Sequence, residues 1–240
     1  MRKLKNRVRN YLWVLLKAKW KLRSGIDIRV ENDSDWYIYN EIFTNKEYDP
    51  AFKLLSQPAQ SAIILDLGAN VGYFTLKMAD ELITAGTRDF KIIAIEATTE
   101  NYLVLENRIS QLAKDKAIAY HGLVGYRSGT GNIVFSSQHY GHAAASGQQG
   151  EPADYINIEG LLDDTQRIAL LKCDIEGSEE TFLKEYPGLL LRTDHAVFEF
   201  HTNECDILNC RQLLKNAGLT TRGIIKEDRK YGTIVEVFSR

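Results

Sequence analysis

Leu65-Asp66-Leu67-Gly68-Ala69-Asn70-Val71-Gly72-Tyr73-Phe74 is the stretch on which the fold turns. It completes an apolar run and leads into a helical pattern. Gly68 permits a tight turn, and Gly72 lets the helix start approach a strand or a ligand closely. Asn70 stands where nucleotide-binding loops often carry glycine, and Asn is among the non-glycine residues that best tolerate positive φ. A loop of this kind presents backbone N–H groups at a helix N-terminus. The spacing is GxNxG, not the GxGxxG of dinucleotide sites. Asp66 would crowd a pyrophosphate with like charge, and suits a ligand that carries an ammonium group.

Outward from this stretch, short aliphatic runs alternate with helical segments, the pattern of a parallel sheet with crossover helices. The runs predict seven strands, at 62–67, 91–95, 117–123, 169–173, 195–200, 221–225 and 233–238. Helices are expected at 72–82, 99–112, 178–185 and 206–216. Gly218, just past the last of these, is a good C-terminal cap. The short connection around 226–232 predicts an antiparallel pair closing an otherwise parallel sheet. Residues 124–160, rich in Gly, Ser, His and Gln, predict a hairpin and a long loop, with His142 a candidate lid residue. Residues 26–60 form an N-terminal cover, whose Trp36, Tyr37, Ile38, Tyr39, Ile42 and Phe43 cap one end of the core. The domain that carries the chemistry is read as 61–240.

Three further pieces fall at predicted strand ends, where open α/β folds bind ligands. Glu96 ends Ile92-Ile93-Ala94-Ile95-Glu96, 28 residues after Gly68, where a carboxylate can accept both hydroxyls of a ribose. Leu170-Leu171-Lys172-Cys173-Asp174-Ile175-Glu176-Gly177-Ser178-Glu179 ends a strand in Asp174 and enters a helix capped by Ser178. For Glu180 the expected role is complementing the helix dipole. In Val197-Phe198-Glu199-Phe200-His201, Glu199 and His201 alternate with apolar neighbours and so share a face. Two carboxylates and an imidazole there can take a proton from a hydroxyl.

Together these pieces resemble the FkbM family of S-adenosylmethionine-dependent methyltransferases. The landmarks are Asp66 to Phe74, Ile95-Glu96, Lys172 to Glu179 and Glu199-Phe200-His201, over about residues 40–240. The resemblance implies a class I methyltransferase fold: an α/β, Rossmann-like sheet of seven strands, mostly parallel, with the last strand antiparallel and helices on both faces. It implies S-adenosylmethionine as cofactor, with Asp66, Gly68, Asn70 and Gly72 around its methionine part and Glu96 on its ribose. Ala69, Phe74 and Asp174 complete the expected cofactor set. It also implies O-methylation of a sugar, glycan or secondary metabolite. Ala97-Thr98-Thr99 follows Glu96 where relatives often have Pro-Asn-Pro. Methyl transfer asks for alignment and removal of a proton. His201 or Asp174 is the expected base, with Glu176 and Glu199 orienting the acceptor. A metal-assisted version would seat Mg²⁺ among Asp174, Glu176, Glu199 and His201. The spacing fixes no octahedral geometry, so the primary reading has no metal.

Composition narrows the alternatives. At 44% hydrophobic and 26% charged over 240 residues, the chain is too apolar for disorder. Its longest apolar run, Tyr11 to Leu16, is far short of a membrane span. Three cysteines, 173, 205 and 210, make no disulfide framework and suit a cytoplasmic protein. Residues 1–23 carry a net +9 against −2 for the whole chain, so the remainder carries −11. That acidic remainder argues against nucleic acid as a partner. The segment 1–25 is basic and amphipathic, with Leu4, Val8, Tyr11, Leu12, Leu15 and Leu16 at helical spacing and Trp13 and Trp20 as anchors. Two readings fit it alike: a helix lying peripherally on an anionic membrane through residues 1–23, or a stripe packed on protein. Two other functions compete with methyl transfer. A nicotinamide oxidoreductase would need a third loop glycine and room for a pyrophosphate. A non-catalytic S-adenosylmethionine-binding scaffold would leave the acidic strand ends without a use. There is no Asp/Asn-Pro-Pro-Tyr/Phe and no Pro-Cys, motifs of nucleobase methylation.

Overall fold

Ala62–Leu67 (β3) has no polar alternation because both of its faces are covered. Ile64 packs into one apolar layer, and Leu65 and Leu67 into the other. The same split recurs in Phe90–Glu96 (β4), in Ile168–Cys173 (β9) and in Thr193–His201 (β10). Ile92, Leu170 and Val197 face one layer, and Ile93, Leu171 and Phe198 the other. These relations come from a computed structural model that describes residues 19–135, 142–145 and 150–240.

Seven strands form the central sheet. The remaining three are Ala117–His121 (β5), Thr220–Asp228 (β11) and Thr233–Ser239 (β12). The order is β11-β12-β10-β9-β3-β4-β5. β12 runs antiparallel to both neighbours, and the other pairs are parallel. The expected sheet is therefore the observed one, with the antiparallel last strand inserted between β10 and β11. From β3 the chain proceeds outward through β4 to β5, then returns to β9 on the other side. That reversal opens a crevice between the carboxyl ends of β3 and β9.

Tyr73–Ala85 (α1) follows the Gly68 loop, bounded by left-handed Gly72 and Gly86. Thr99–Ile109 (α2), Glu179–Glu185 (α3) and Ile207–Asn216 (α4) are the other expected helices. The segment 124–160 contributes Thr130–Phe135 (β6), His142–Ala145 (β7) and Glu151–Asp154 (β8), a small antiparallel sheet ordered β7-β6-β8. The side chain of His142 lies outside the described residues.

The N-terminal cover is a hairpin followed by helical turns. Lys19–Lys21 (β1) pairs antiparallel with Asp27–Arg29 (β2). This corrects the reading of one amphipathic helix through Arg23. Lys19 and Lys21 both reach Asp27, at 2.7 and 3.2 Å, an alternation that favours strand pairing. Trp20 does not stand out as a membrane anchor, because its ring packs edge-on against Tyr39 at 4.7 Å. Residues 1–18 of that segment lie outside the described residues. A helix at Asp33–Tyr39 and a π-helical turn at Asn40–Thr44 then stack Tyr39 on Phe43 and bring both rings edge-on to Tyr73. Among the described residues no helix is long and apolar enough to cross a membrane.

Candidate active site

The crevice between β3 and β9 is lined by Gly68 and Asn70 on one side, Glu96, Thr98 and Asn101 on another, and Asp174 and Glu176 on a third. Leu123, Val124 and Ile133 give it an apolar wall. Gly68 is at φ +73°, and a Cβ there would lie 1.7 Å from the Asp174 carbonyl oxygen. Only glycine lets the two strand-end loops approach this closely. Asn70 is at φ +49°, as its place in the loop predicts.

The loop amides do not form an anion cradle. The N–H groups of Gly68 and Ala69 donate to the Ile95 carbonyl at 3.0 and 2.9 Å, and that of Gly72 to the Ala69 carbonyl. Val71 N–H donates to Asn70 Oδ1, and Asn70 N–H to Glu96 Oε2 at 2.9 Å. The expectation of exposed N–H groups is thus corrected for 68–72. Each is turned inward by a carbonyl or side chain close by.

Glu96 is where the sequence places it, at the end of β4 and nearly buried. Its Oε1 accepts from Thr98 N–H and Oγ1 at 2.9 and 2.8 Å. Thr98 therefore holds the carboxylate in the segment where relatives often have Pro-Asn-Pro. Oε2 accepts the single Asn70 bond and keeps capacity for a ligand hydroxyl.

Asp66, Ala69, Gly72 and Phe74 stand behind the crevice, not in it. Asp66 is fully buried, accepting from Thr75 Oγ1 at 2.6 Å. Burial raises its pKa, against the pull of nearby Lys172. A Cβ on Gly72 would meet Leu105 at 2.8 Å, so this glycine serves the contact between α1 and α2. Phe74 packs on Tyr48 and Phe52, and Ala69 is buried. The expected contacts of these four with a ligand give way to support of the loop that makes them.

Lys172 is the support that ties β3 to β9. It is buried, and its Nζ donates to the Gly68 carbonyl at 2.5 Å. Asp66 Oδ1 and Asp174 Oδ2 each lie 3.5 Å away. Burial alone would lower its pKa, but the two carboxylates outweigh that and raise it.

His201 is clamped. Nδ1 lies 3.0 Å from Glu179 Oε1, and Nε2 lies 3.1 Å from Glu176 Oε2. Burial works against its charge, but the two carboxylates prevail, and its pKa is pushed up to about 12. An imidazolium with both nitrogens engaged is no general base, which corrects that expectation. Glu176, at φ +53°, is committed to His201. Glu180, in the first turn of α3, pairs with Lys184 at 2.6 Å and accepts from Asp206 N–H and Asn209 Nδ2 at the start of α4. These contacts pull its pKa down to about 2. Asp174, Glu176 and His201 can each bring one ligating atom within 4.8 Å of the others, a grouping that excludes Glu199. A cation there would need the Nε2 that Glu176 engages, so the clamp and a metal exclude one another.

Beside Asp174 lies a second polar group, from the cover and the sheet edge. Lys226 Nζ is 2.9 Å from Glu47 Oε2 and 3.6 Å from Glu41 Oε1. Burial, then Glu47, raises Glu41 to about 7. Tyr48 Oη donates to Glu199 Oε2 at 3.4 Å.

The FkbM methyltransferase domain model matches residues 66–219, from Asp66 in β3 to just past α4. The chain belongs to the FkbM methyltransferase family. Among solved structures it is similar to an FkbM methyltransferase from Methylobacillus flagellatus KT, at 15% identity and TM-score 0.50. That match covers 96% of this chain and 59% of the other, so the present chain spans about three-fifths of its length. A methyltransferase from Pyrococcus furiosus matches at 12% identity and TM-score 0.48, over 98% of each chain. Magnesium protoporphyrin IX methyltransferase from Synechocystis PCC 6803 matches at 12% identity and TM-score 0.47, over 91% of this chain and 88% of the other. No curated protein matches. The fold is that of class I methyltransferases.

Two features of this FkbM methyltransferase escape its sequence. Glu41, Glu47 and Tyr48 belong to no motif of the sequence, yet they reach the strand-end edge. Lys172 reads as a strand residue, and its one signal is a lysine set among buried aliphatics.

Proposed function

We propose that this protein is an S-adenosylmethionine-dependent O-methyltransferase acting on a hydroxyl of a sugar, glycan or secondary metabolite. The observation that carries the reading is Glu96 facing a GxNxG loop whose amides are all turned inward. A carboxylate with a free lone pair suits ribose hydroxyls, and a crevice without loop donors does not suit a pyrophosphate. The nicotinamide alternative loses its main requirement there.

The cofactor supplies a methyl group already activated on a cationic sulfur. The chain's part is to bind, orient and take a proton. Glu96 holds the nucleoside end, and the apolar wall of Leu123, Val124 and Ile133 suits a base. Asp174, at the crevice edge, would complement the positive charge on the cofactor's sulfur. The family and the carboxylate-rich edge weigh against a scaffold. The acceptor is a hydroxyl compound and not a nucleic acid, since the chain beyond residue 23 is acidic. The proposed setting is cytoplasmic, and the basic segment 1–23 offers contact with an anionic membrane surface or with protein.

Calorimetric titration with S-adenosylhomocysteine, with NADH as comparator and Glu96→Ala as control, tests this. Micromolar binding lost in the variant is expected. Preference for NADH would overturn the reading.

A further inference from the structure

We propose that Glu199 is the catalytic base that takes the acceptor proton, a role distinct from orienting the acceptor. The inference rests on the methyltransferase reading above, and it comes from accounting for the charges at the carboxyl edge of the sheet.

Among the described residues three cations stand there, and each is committed. Lys172 is shared by Asp66 and Asp174 and donates to the Gly68 carbonyl. Lys226 is shared by Glu47 and Glu41. His201 is held between Glu176 and Glu179. Glu199 forms no ion pair among the described residues. Its hydrogen-bond partner there is the Tyr48 hydroxyl, at a long 3.4 Å. A half-buried carboxylate without a cation has the strongest pull on a proton.

Position agrees with chemistry. β9 and β10 run parallel with Phe198 beside Cys173, so one step on Glu199 stands beside Asp174. Asp174 lines the crevice. Glu199 is thus one strand spacing, about 4.8 Å, beyond the crevice edge. The groups that face it are Tyr48 and Glu41 from the cover, Lys172 from β9 and Asp174 just after it, His201 from its own strand and Lys226 from β11. Burial first, and then the Asp174 carboxylate, push its pKa up to about 8, while His201 and Lys226 pull the other way. A base poised near the working pH is the favourable case for proton transfer.

In the step, the acceptor oxygen bonds to the methyl carbon while the C–S bond breaks. Its electron pair stays on sulfur, and the hydroxyl proton passes to a Glu199 oxygen. Asp174, sharing Lys172, remains a positioning residue.

The test has two arms on the full chain with S-adenosylhomocysteine or S-adenosylmethionine. First, carboxyl-¹³C glutamate NMR with S-adenosylhomocysteine bound should show a resonance that titrates near pH 8 and is absent from Glu199→Gln. Glu41→Gln identifies the other raised glutamate. Second, methyl transfer to a panel of methyl glycosides and phenols should fall about 100-fold or more in kcat in Glu199→Gln, with KM for the cofactor unchanged. Titration of Glu199 in the ordinary carboxylate range, or wild-type turnover by Glu199→Gln, overturns the proposal. Failure to bind S-adenosylhomocysteine at all would instead sink the methyltransferase reading.

Discussion

His201 Nδ1 lies 3.0 Å from Glu179 Oε1, a carboxylate wholly withdrawn from solvent. The same oxygen accepts from Ile175 and Gly177 N–H at 3.2 and 3.1 Å. The imidazole therefore fastens the end of β10 to the turn that follows β9. This turn carries Asp174 and Glu176 into the crevice, so the histidine shapes the site through its neighbours.

Replacing His201 by Ala leaves Glu179 buried without its cation. Breaking a buried pair by removing one partner costs about 3–5 kcal/mol. The pKa is raised from 6.5 to about 12, so the clamp stabilises fully below pH 6.5 and is lost as pH rises toward 12. Urea unfolding at pH 6 and pH 9 should show the gap between wild type and His201→Ala narrowing at the higher pH. A gap independent of pH would mean that the imidazole is neutral in the folded protein.

Lys172 and Asp66 give a second test. Lys172→Met strands Asp66, whose Oδ1 has no hydrogen-bond partner among the described residues. The single variant should lose about 3–5 kcal/mol in denaturant unfolding. Adding Asp66→Asn should recover part of this, because the uncompensated charge is gone. Additive losses in the double variant would show that the two residues do not share one buried network.

The sheet was legible because aliphatic runs without alternation mark strands buried on both faces, and β3, β4, β9 and β10 are of that kind. Asn70 was legible because few residues accept its backbone angle. The clamp was not, since alternation shows that Glu199 and His201 share a face but cannot say which carboxylates reach the imidazole. The Lys172–Gly68 bond spans 104 residues and the Lys226–Glu47 bond 179, separations that no local pattern encodes. The hairpin at 19–29 was missed because basic residues at mixed spacing imitate an amphipathic helix, while the partner that decides, Asp27, lies across a turn.

Gly68→Ala should be more damaging than a glycine change in an ordinary turn. The new methyl would overlap the Asp174 carbonyl, and the backbone sits at φ +73°. Overpacking and strain of this kind cost about 1–3 kcal/mol each. Calorimetric melting should fall, and binding of S-adenosylhomocysteine should fall with it, because the two loops that spread apart both line the crevice. Wild-type melting with wild-type binding would show that the loops can separate freely.

Arg108 offers the sharpest test of how the N-terminal cover serves the site. Its guanidinium donates to Asp35 Oδ2 at 2.6 Å and to the Val71 carbonyl at 3.0 Å, and it lies 4.4 Å from the centre of the Tyr73 ring. One side chain on α2 thus joins the cover to the residue just before Gly72. A lysine can keep the charge but not the fork and the stacking together. Arg108→Lys should therefore cost about 2 kcal/mol, the size of a lost charge-assisted hydrogen bond, since the charge beside Asp35 is kept. Hydrogen exchange should rise at 31–39 and at 70–73 together, since both segments lose the same anchor. Exchange that rises in the cover alone would mean that the loop is held by Glu96 and Lys172 without help, and that the cover reaches the site only through Tyr48, Glu41 and Glu47.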